Sequence, residues 1–232
     1  MSFFVFIATI NGMSISLYLI RHGQTNVNQQ ADTLVSGLYP DAYLSEEGQH
    51  QARQLGTYLR ENNFEFEKVY CSSIHRAKQT LEAVQENYSL DTDSIIYDYA
   101  LRERSTGKWE GHTKEAIYTR ETLQTMADQG SWYTSPGGES YQDLILRAAN
   151  WFHQELLPLP TSDSPDRNIL LISHSLFIRA LLQYVFQYET QYLRKLKIAN
   201  TSLTKLTLSA KGITCEYVNA TPHLTTPDIT QD

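Results

Sequence analysis

The stretch LYLIRHGQTNVN, residues 17–28, sets an apolar run against an abrupt polar turn. The run has the character of a buried strand, ends at Arg21-His22-Gly23, and gives way to Gln24, Thr25, Asn26 and Asn28. A strand that delivers an arginine and a histidine at its carboxyl end predicts a site there, because ligands of open α/β sheets bind in the crevice beyond the strand ends. The same design recurs. KVYCSS (68–73) reads as a short strand with Arg76 just beyond it. ILLIS (169–173) is a continuous apolar run, as expected of a central strand buried on both faces, and His174 follows at once. Glu103, in ALRER (100–104), lies just past a third strand candidate, SIIYDYA (94–100).

Between these strands the periodicity turns helical. LSEEGQHQARQLGTYLRENN (44–63) predicts a helix capped by Ser45, and IHRAKQTLEAVQENY (74–88) places Ile74, Ala77, Leu81 and Val84 on one face. The irregular LRERSTGKWEGHTKE leads into a helix through about Met126, and a long helix begins at Ser140 or Glu139 and runs to about Leu156. After the Pro- and Ser-rich link LPLPTSDSPDRN, LFIRALLQYVF (176–186) is helical, and TSLTKLTLSAKGITCEYVN (201–219) predicts a hairpin turning at Lys211-Gly212. Strands alternating with helices predict an α/β three-layer sandwich: a mainly parallel central sheet, helices on both faces and a hairpin at one edge. Residues 14–220 are expected to form one domain, which suits 232 residues. Residues 1–13 read as an extension, since Met13 is an equally natural start, and the polar tail 221–232 is expected to fray.

Composition narrows the function. A hydrophobic content of 41% with 19% charged residues is that of an ordinary globular chain. The net charge of -7 argues against a nucleic-acid or membrane-surface binder, which needs broad positive potential, but permits a local basic pocket. MSFFVFIATINGM lacks a basic leading region and is too short to span a bilayer. Cys71 and Cys215 are too few for a disulfide framework and have no metal-ligand spacing, so they read as free thiols of a cytoplasmic protein. The Asn-x-Ser/Thr matches at Asn87 and Asn200 carry little weight without a secretory signal.

Arg21, His22, Arg76, Glu103 and His174 share one pocket if the strand ends converge. Two guanidinium forks match phosphate oxygens. A neutral imidazole beside them can attack phosphorus and form a phosphohistidine, without metal or organic cofactor. Arg and His donors stabilise the charge on the equatorial oxygens of the transition state, and a carboxylic acid protonates the departing alkoxide.

These residues lie in LIRHGQTNVN, CSSIHRAKQT, LRERSTGKWEG, SPGGES, LISHSLFIRALL and NTSLTKL, which resemble, in order over residues 15–208, the motifs of the histidine phosphatase superfamily, in its phosphoglycerate mutase-like branch. The resemblance implies His22 as the phosphorylated nucleophile, Arg21, Asn28 and Arg76 as phosphate ligands, His174 as the second pocket histidine and Glu103 as proton donor. Ser36 and Gly37 fall where relatives contact substrate. Ser175 stands where the family usually has glycine, and Val27 where it often has tryptophan, so Ser175 is expected among the phosphate-binding residues, narrowing or hydrogen-bonding the pocket, and Val27 to alter its wall. No match is found between Glu103 and SPGGES to the lysine- and tyrosine-bearing segment that mutases use. The implied activity is therefore that of a histidine acid-type phosphatase, a phosphomonoester hydrolase acting on a small phosphorylated metabolite. A phosphoglycerate mutase and a catalytically silent phosphate-binding module are the alternatives.

Other features receive blander readings. Trp109 is expected to pack, and Lys108 and Glu110 stay outside the catalytic set. His50, His75, His112, His153 and His223 are assigned to the surface or to helix faces, with His112 the best candidate for a further role. Tyr184, Tyr188 and Tyr192 form a helical stripe that leaves a homodimer open.

Overall fold

The run ISLYLIR becomes β1 (Ile15–Arg21), the strand on which the sheet is centred. A computed structural model describes residues 14–30, 33–157, 166–188, 195–209 and 211–224. The extension 1–13, most of the Pro- and Ser-rich link, Tyr192 and the tail beyond Leu224 lie outside the described residues. β1 continues through α1 (Glu46–Glu61) to β2 (Lys68–Ser72), α2 (His75–Gln85) and β3 (Ile95–Asp98). The long connection after β3 carries a one-turn α3 (Lys114–Ile117) and α4 (Arg120–Gln129). Then come α5 (Tyr141–Glu155), β4 (Arg167–Ser173), α6 (Ser175–Phe186) and the hairpin β5 (Leu203–Ser209) and β6 (Gly212–Ala220).

The sheet order is β3-β2-β4-β1-β5-β6. β1, β2, β3 and β4 are parallel to their neighbours, while β5 runs antiparallel to β1 and β6 to β5. The two-residue period of a strand decides the layers. Leu17, Leu19, Ile169 and Leu171 face α5 and α6, where Leu144, Phe152, Phe177 and Leu181 cover them. Tyr18, Ile20, Leu170 and Ile172 face α1 and α2 and meet Leu55, Leu59, Leu81 and Val84. Both faces of β1 and β4 are thus dry, which is why neither strand alternates in sequence. Truncating Leu171, fully buried at the sheet centre, to alanine costs about 2–5 kcal/mol.

The helix starts follow capping chemistry. Ser45 accepts a hydrogen bond from the Gly48 N–H, and Ser140, not Glu139, caps α5 in a reciprocal capping box with Asp143. Three expectations need correction. The helix read through Met126 is two helices: Tyr118 leaves helical geometry (φ −86°, ψ 56°) and Thr119 re-caps the chain by accepting the Thr122 N–H. Ile74 is the extended residue preceding α2 rather than part of its apolar face. His223 is buried against Thr201 and the Tyr58 ring of α1, so the chain is held in place up to there, whereas His50, His75, His112 and His153 are exposed as expected.

Candidate active site

The carboxyl ends of β1, β2 and β4 converge because the three strands are parallel and adjacent. His22 is fixed through its own backbone: its N–H donates to the Ser173 carbonyl at 2.9 Å and its carbonyl accepts from Asn200 Nδ2 at 2.9 Å. Next to it, the Arg21 carbonyl accepts from the Thr201 N–H at 3.0 Å. Thr201 holds a left-handed φ of 55°, a strained choice for a β-branched residue, tolerated here because it completes this clamp. The glycine after His22 is required by packing, since a Cβ on Gly23 would lie 2.5 Å from the Gly48 carbonyl oxygen of α1.

The side chains meet on Arg76, the first buried residue of α2. Its single Nε–H is shared between His22 Nε2 and His174 Nδ1, each at 3.2 Å, and Nη2 donates to the Gly37 carbonyl at 2.9 Å. A guanidinium only donates, so both of those ring nitrogens carry lone pairs. The remaining ring atoms agree: His22 Nδ1–H donates to the Gly23 carbonyl at 2.8 Å, and His174 Nε2–H to Ser72 Oγ at 2.9 Å. The two rings stand 5.1 Å apart. Burial first, then the charges of Arg76 and Arg21, push His22 well below the ordinary histidine pKa. Burial and then Arg76 do the same to His174. Both imidazoles are therefore neutral at physiological pH. Arg76 is itself pushed down to about 10 by burial, partly offset by Glu103, and stays charged. Its Nη1 is buried and finds no acceptor among the described residues.

Glu103 approaches from the loop after β3. Its carboxylate accepts the Arg104 N–H at 2.9 Å, the Leu176 N–H at 3.2 Å and the Ser175 hydroxyl at 3.4 Å, the last two from the first turn of α6. Ser175, in place of the expected glycine, thus binds the carboxylate. The cavity in front has a volume of about 290 Å³, and Arg21, His22, Asn28, Arg76, Glu103 and Ser175 line it. Ser36, Gly37 and Val27 complete the wall. His174 sits behind Arg76, fully buried. Gly37 does more than face the ligand: it supports Arg76, and at φ 46° a Cβ there would sit 2.4 Å from Thr106 Oγ1.

The outer wall holds side chains that were not foreseen. Lys114, Tyr118, Arg104 and Arg179 line the mouth. Residues 33–35 pair with 111–114 through Val35 N–H to the His112 carbonyl (2.9 Å) and Lys114 N–H to the Thr33 carbonyl (2.7 Å), which swings α3 over the pocket. The segment thus brings a lysine and a tyrosine to the site although no motif announced it. Trp109 packs, stacked on Tyr133 and edge-on to Tyr118, and His112 is exposed. Glu110 accepts the Ser105 hydroxyl and the Thr106 and Gly107 N–H groups, so it shapes the loop. Asn200, read individually as a weak glycosylation match and also the first residue of the NTSLTKL motif, is buried against His22.

Paired neutral imidazoles beside two guanidinium groups at parallel strand ends define an α/β protein with a pocket for a phosphoryl group. Residues 17–221 match the family model of the histidine phosphatase superfamily (branch 1), and the chain belongs to that family. It is 32% identical over 190 residues to a broad-specificity phosphatase of Saccharomyces cerevisiae, covering 82% of this chain and 78% of that one. It is 38% identical over 138 residues to a fructose-2,6-bisphosphatase of Xenopus tropicalis, but that match covers 59% of this chain and only 48% of the relative. Among solved structures, a mycobacterial hydrolase superposes with a TM-score of 0.74 at 26% identity, covering 89% of this chain and 99% of that one. No helix among the described residues is long and apolar enough to cross a membrane.

Proposed function

We propose that the protein hydrolyses a small phosphomonoester through a phosphohistidine at His22, with Glu103 as proton donor. One observation carries this reading: His22 commits Nδ1–H to the Gly23 carbonyl, so its Nε2 lone pair is presented beside the Arg76 guanidinium. An incoming phosphoryl group takes over the Arg76 Nε–H as acceptor and frees that lone pair. Nε2 attacks phosphorus, the bond to the leaving oxygen breaks, and Glu103 delivers its proton to that oxygen. Water then attacks the phosphohistidine, gives its proton to Glu103, and releases phosphate with His22 neutral again. Arg21, Arg76 and Asn28 hold the equatorial oxygens, with Arg76 Nη1 already desolvated and without an acceptor. These guanidinium charges do the work that a metal ion does elsewhere.

Lys114, Arg104 and Arg179 at the mouth suit a leaving group that carries its own negative charge. Hydrolysis is favoured over phosphoryl transfer to a second hydroxyl because α3, which brings Lys114 to the mouth, contains no buried residue. So thin a cover admits water to the phosphoenzyme. Two free thiols, Cys71 and Cys215, support a cytoplasmic setting. The test is phosphate release from a panel of phosphomonoesters, run beside interconversion of 3- and 2-phosphoglycerate primed with a bisphosphoglycerate. Release without interconversion supports the proposal; primed interconversion replaces it with a mutase, and silence in both with a phosphate-binding module.

A further inference from the structure

Arg147, on α5, is an internal arginine with all five N–H groups occupied: three bonds go to the Glu103 loop and two to Glu139, the residue bracing it. Nε–H and one Nη2–H form a two-pronged ion pair with Glu139 at 2.8 and 2.7 Å, the side chains being 12% and 10% exposed. Nη1 donates to the Ala100 and Arg102 carbonyls at 2.6 and 2.9 Å, and the other Nη2–H reaches the Glu103 carbonyl at 3.3 Å. Glu139 grips the same loop from its far side: its N–H donates to the Ser105 carbonyl at 2.9 Å, and its carbonyl accepts from Arg104 Nη1 at 3.3 Å. The Arg147 guanidinium also lies 5.7 Å from the centre of the Phe177 ring, next to Leu176, whose N–H binds the Glu103 carboxylate. Arg147 touches neither the pocket nor the reacting atoms.

From this we infer that Arg147, with Glu139 as its partner, is a positioning residue for proton delivery by Glu103. The inference rests on the assignment of Glu103 as proton donor. Three backbone carbonyls of the 100–103 segment, those of Ala100, Arg102 and Glu103, are referred to one rigid guanidinium plane. The same plane is packed against the helix turn that orients the carboxylate. A carboxyl group on a loop gains its catalytic value from placement within a fraction of an ångström, and a five-donor fork supplies it where a lysine with three rotatable donors does not.

Leaving-group dependence separates this role from a general structural one. Departure of an alkyl alkoxide needs the proton; departure of p-nitrophenolate does not. The quantity to follow is kcat/KM, which reports only the steps through loss of the leaving group and so excludes the later use of Glu103 as base. Arg147→Lys is expected to lower kcat/KM at least tenfold for glycerol 3-phosphate and less than threefold for p-nitrophenyl phosphate. Glu139→Gln, a milder change, should follow the same pattern more weakly, and it carries the test if Arg147→Lys folds poorly by near-ultraviolet circular dichroism. The Arg147→Lys/Glu103→Gln double variant should be no slower on the alkyl ester than Glu103→Gln alone, because both changes disable one step. Equal losses on both esters in both variants, no loss on either, or additive losses in the double variant would overturn the role of Arg147 while leaving Glu103 in place. A Glu103→Gln enzyme that loses both esters alike would instead overturn the proton-donor assignment, and this inference with it.

Discussion

His223 offers a stability test whose sign follows from its burial. Thr201 Oγ1 gives its proton to the Asn200 carbonyl at 2.8 Å, so it accepts the Nε2–H of His223 at 2.9 Å. Nδ1 is buried without a partner among the described residues, and a second proton there would have no acceptor. Burial pushes the pKa from 6.5 down to about 4. The fold therefore prefers neutral His223, and its contribution is complete above pH 6.5 and is lost as pH falls from 6.5 toward 4. Moving the midpoint from 6.5 to about 4 is worth about 3.4 kcal/mol at 1.36 kcal/mol per pH unit, and about 2.5 kcal/mol of it is lost between pH 7.5 and pH 4.5. His223→Gln keeps a donor for Thr201 but does not titrate, and urea unfolding of both proteins at the two pH values measures the difference. The wild type should lose about 2–3 kcal/mol more than the variant. His22 and His174 titrate in the same direction but are common to both proteins and cancel. Equal acid losses would show that His223 is charged or exposed, and the latch on the Asn200-Thr201 turn would have to be abandoned.

Further outcomes follow from the pocket. His22→Ala should abolish turnover and the phosphoenzyme seen by mass spectrometry while retaining the wild-type circular dichroism; retained activity would refute the nucleophile. Gly37→Ala forces a Cβ within 2.4 Å of Thr106 Oγ1 at φ 46° and disturbs the carbonyl that holds Arg76. It should lower kcat/KM for any phosphomonoester by about 10–100-fold, corresponding to about 1.4–2.7 kcal/mol, and an unchanged value would detach Gly37 from Arg76. Inorganic phosphate at ten times its Kd should stabilise the protein by about 1.4 kcal/mol and raise Tm by about 3–5 °C, and no shift at any concentration would count against an anion pocket. EDTA should leave the rate unchanged; a loss restored by a divalent metal would sink the guanidinium mechanism.

Much of this arrangement was legible because short strands advertise themselves twice, by an apolar run and by what stops it. LYLIRHG and ILLISH gave two central parallel strands and both pocket histidines, since both faces of those strands are buried. Ser45 and Ser140 announced their helices through side-chain oxygens that accept the N–H groups three residues ahead. The mouth was not legible. Lys114 starts a helix of 4 residues with no buried face and Tyr118 follows its end, and α3 is held at the site by pairing with residues 33–35. Arg179 looks like the polar face of an amphipathic helix. Arg147 likewise reads as surface until the loop it grips is folded against it. His223 lies in a polar segment whose local pattern predicts fraying, and its burial comes from residues distant in sequence, Thr201 and the Tyr58 ring among them.

The electrostatics of the pocket explain why its basic groups differ in chemical type. Burying four cations in one crevice would be prohibitive, so two of the four positions are imidazoles, which escape the cost by releasing a proton. Arg76 cannot do so at neutral pH, and its charge is instead distributed over two imidazole lone pairs and the Gly37 carbonyl. Those acceptors are weaker than a phosphoryl oxygen. In the proposed reaction a dianionic ester displaces them, and the displacement uncovers the attacking lone pair of His22. Binding and activation are one event in this geometry. Free phosphate fits the same donors as the substrate, so its release requires water to enter as readily as it entered to cleave the phosphoenzyme. A mouth whose α3 wall contains no buried residue meets both needs.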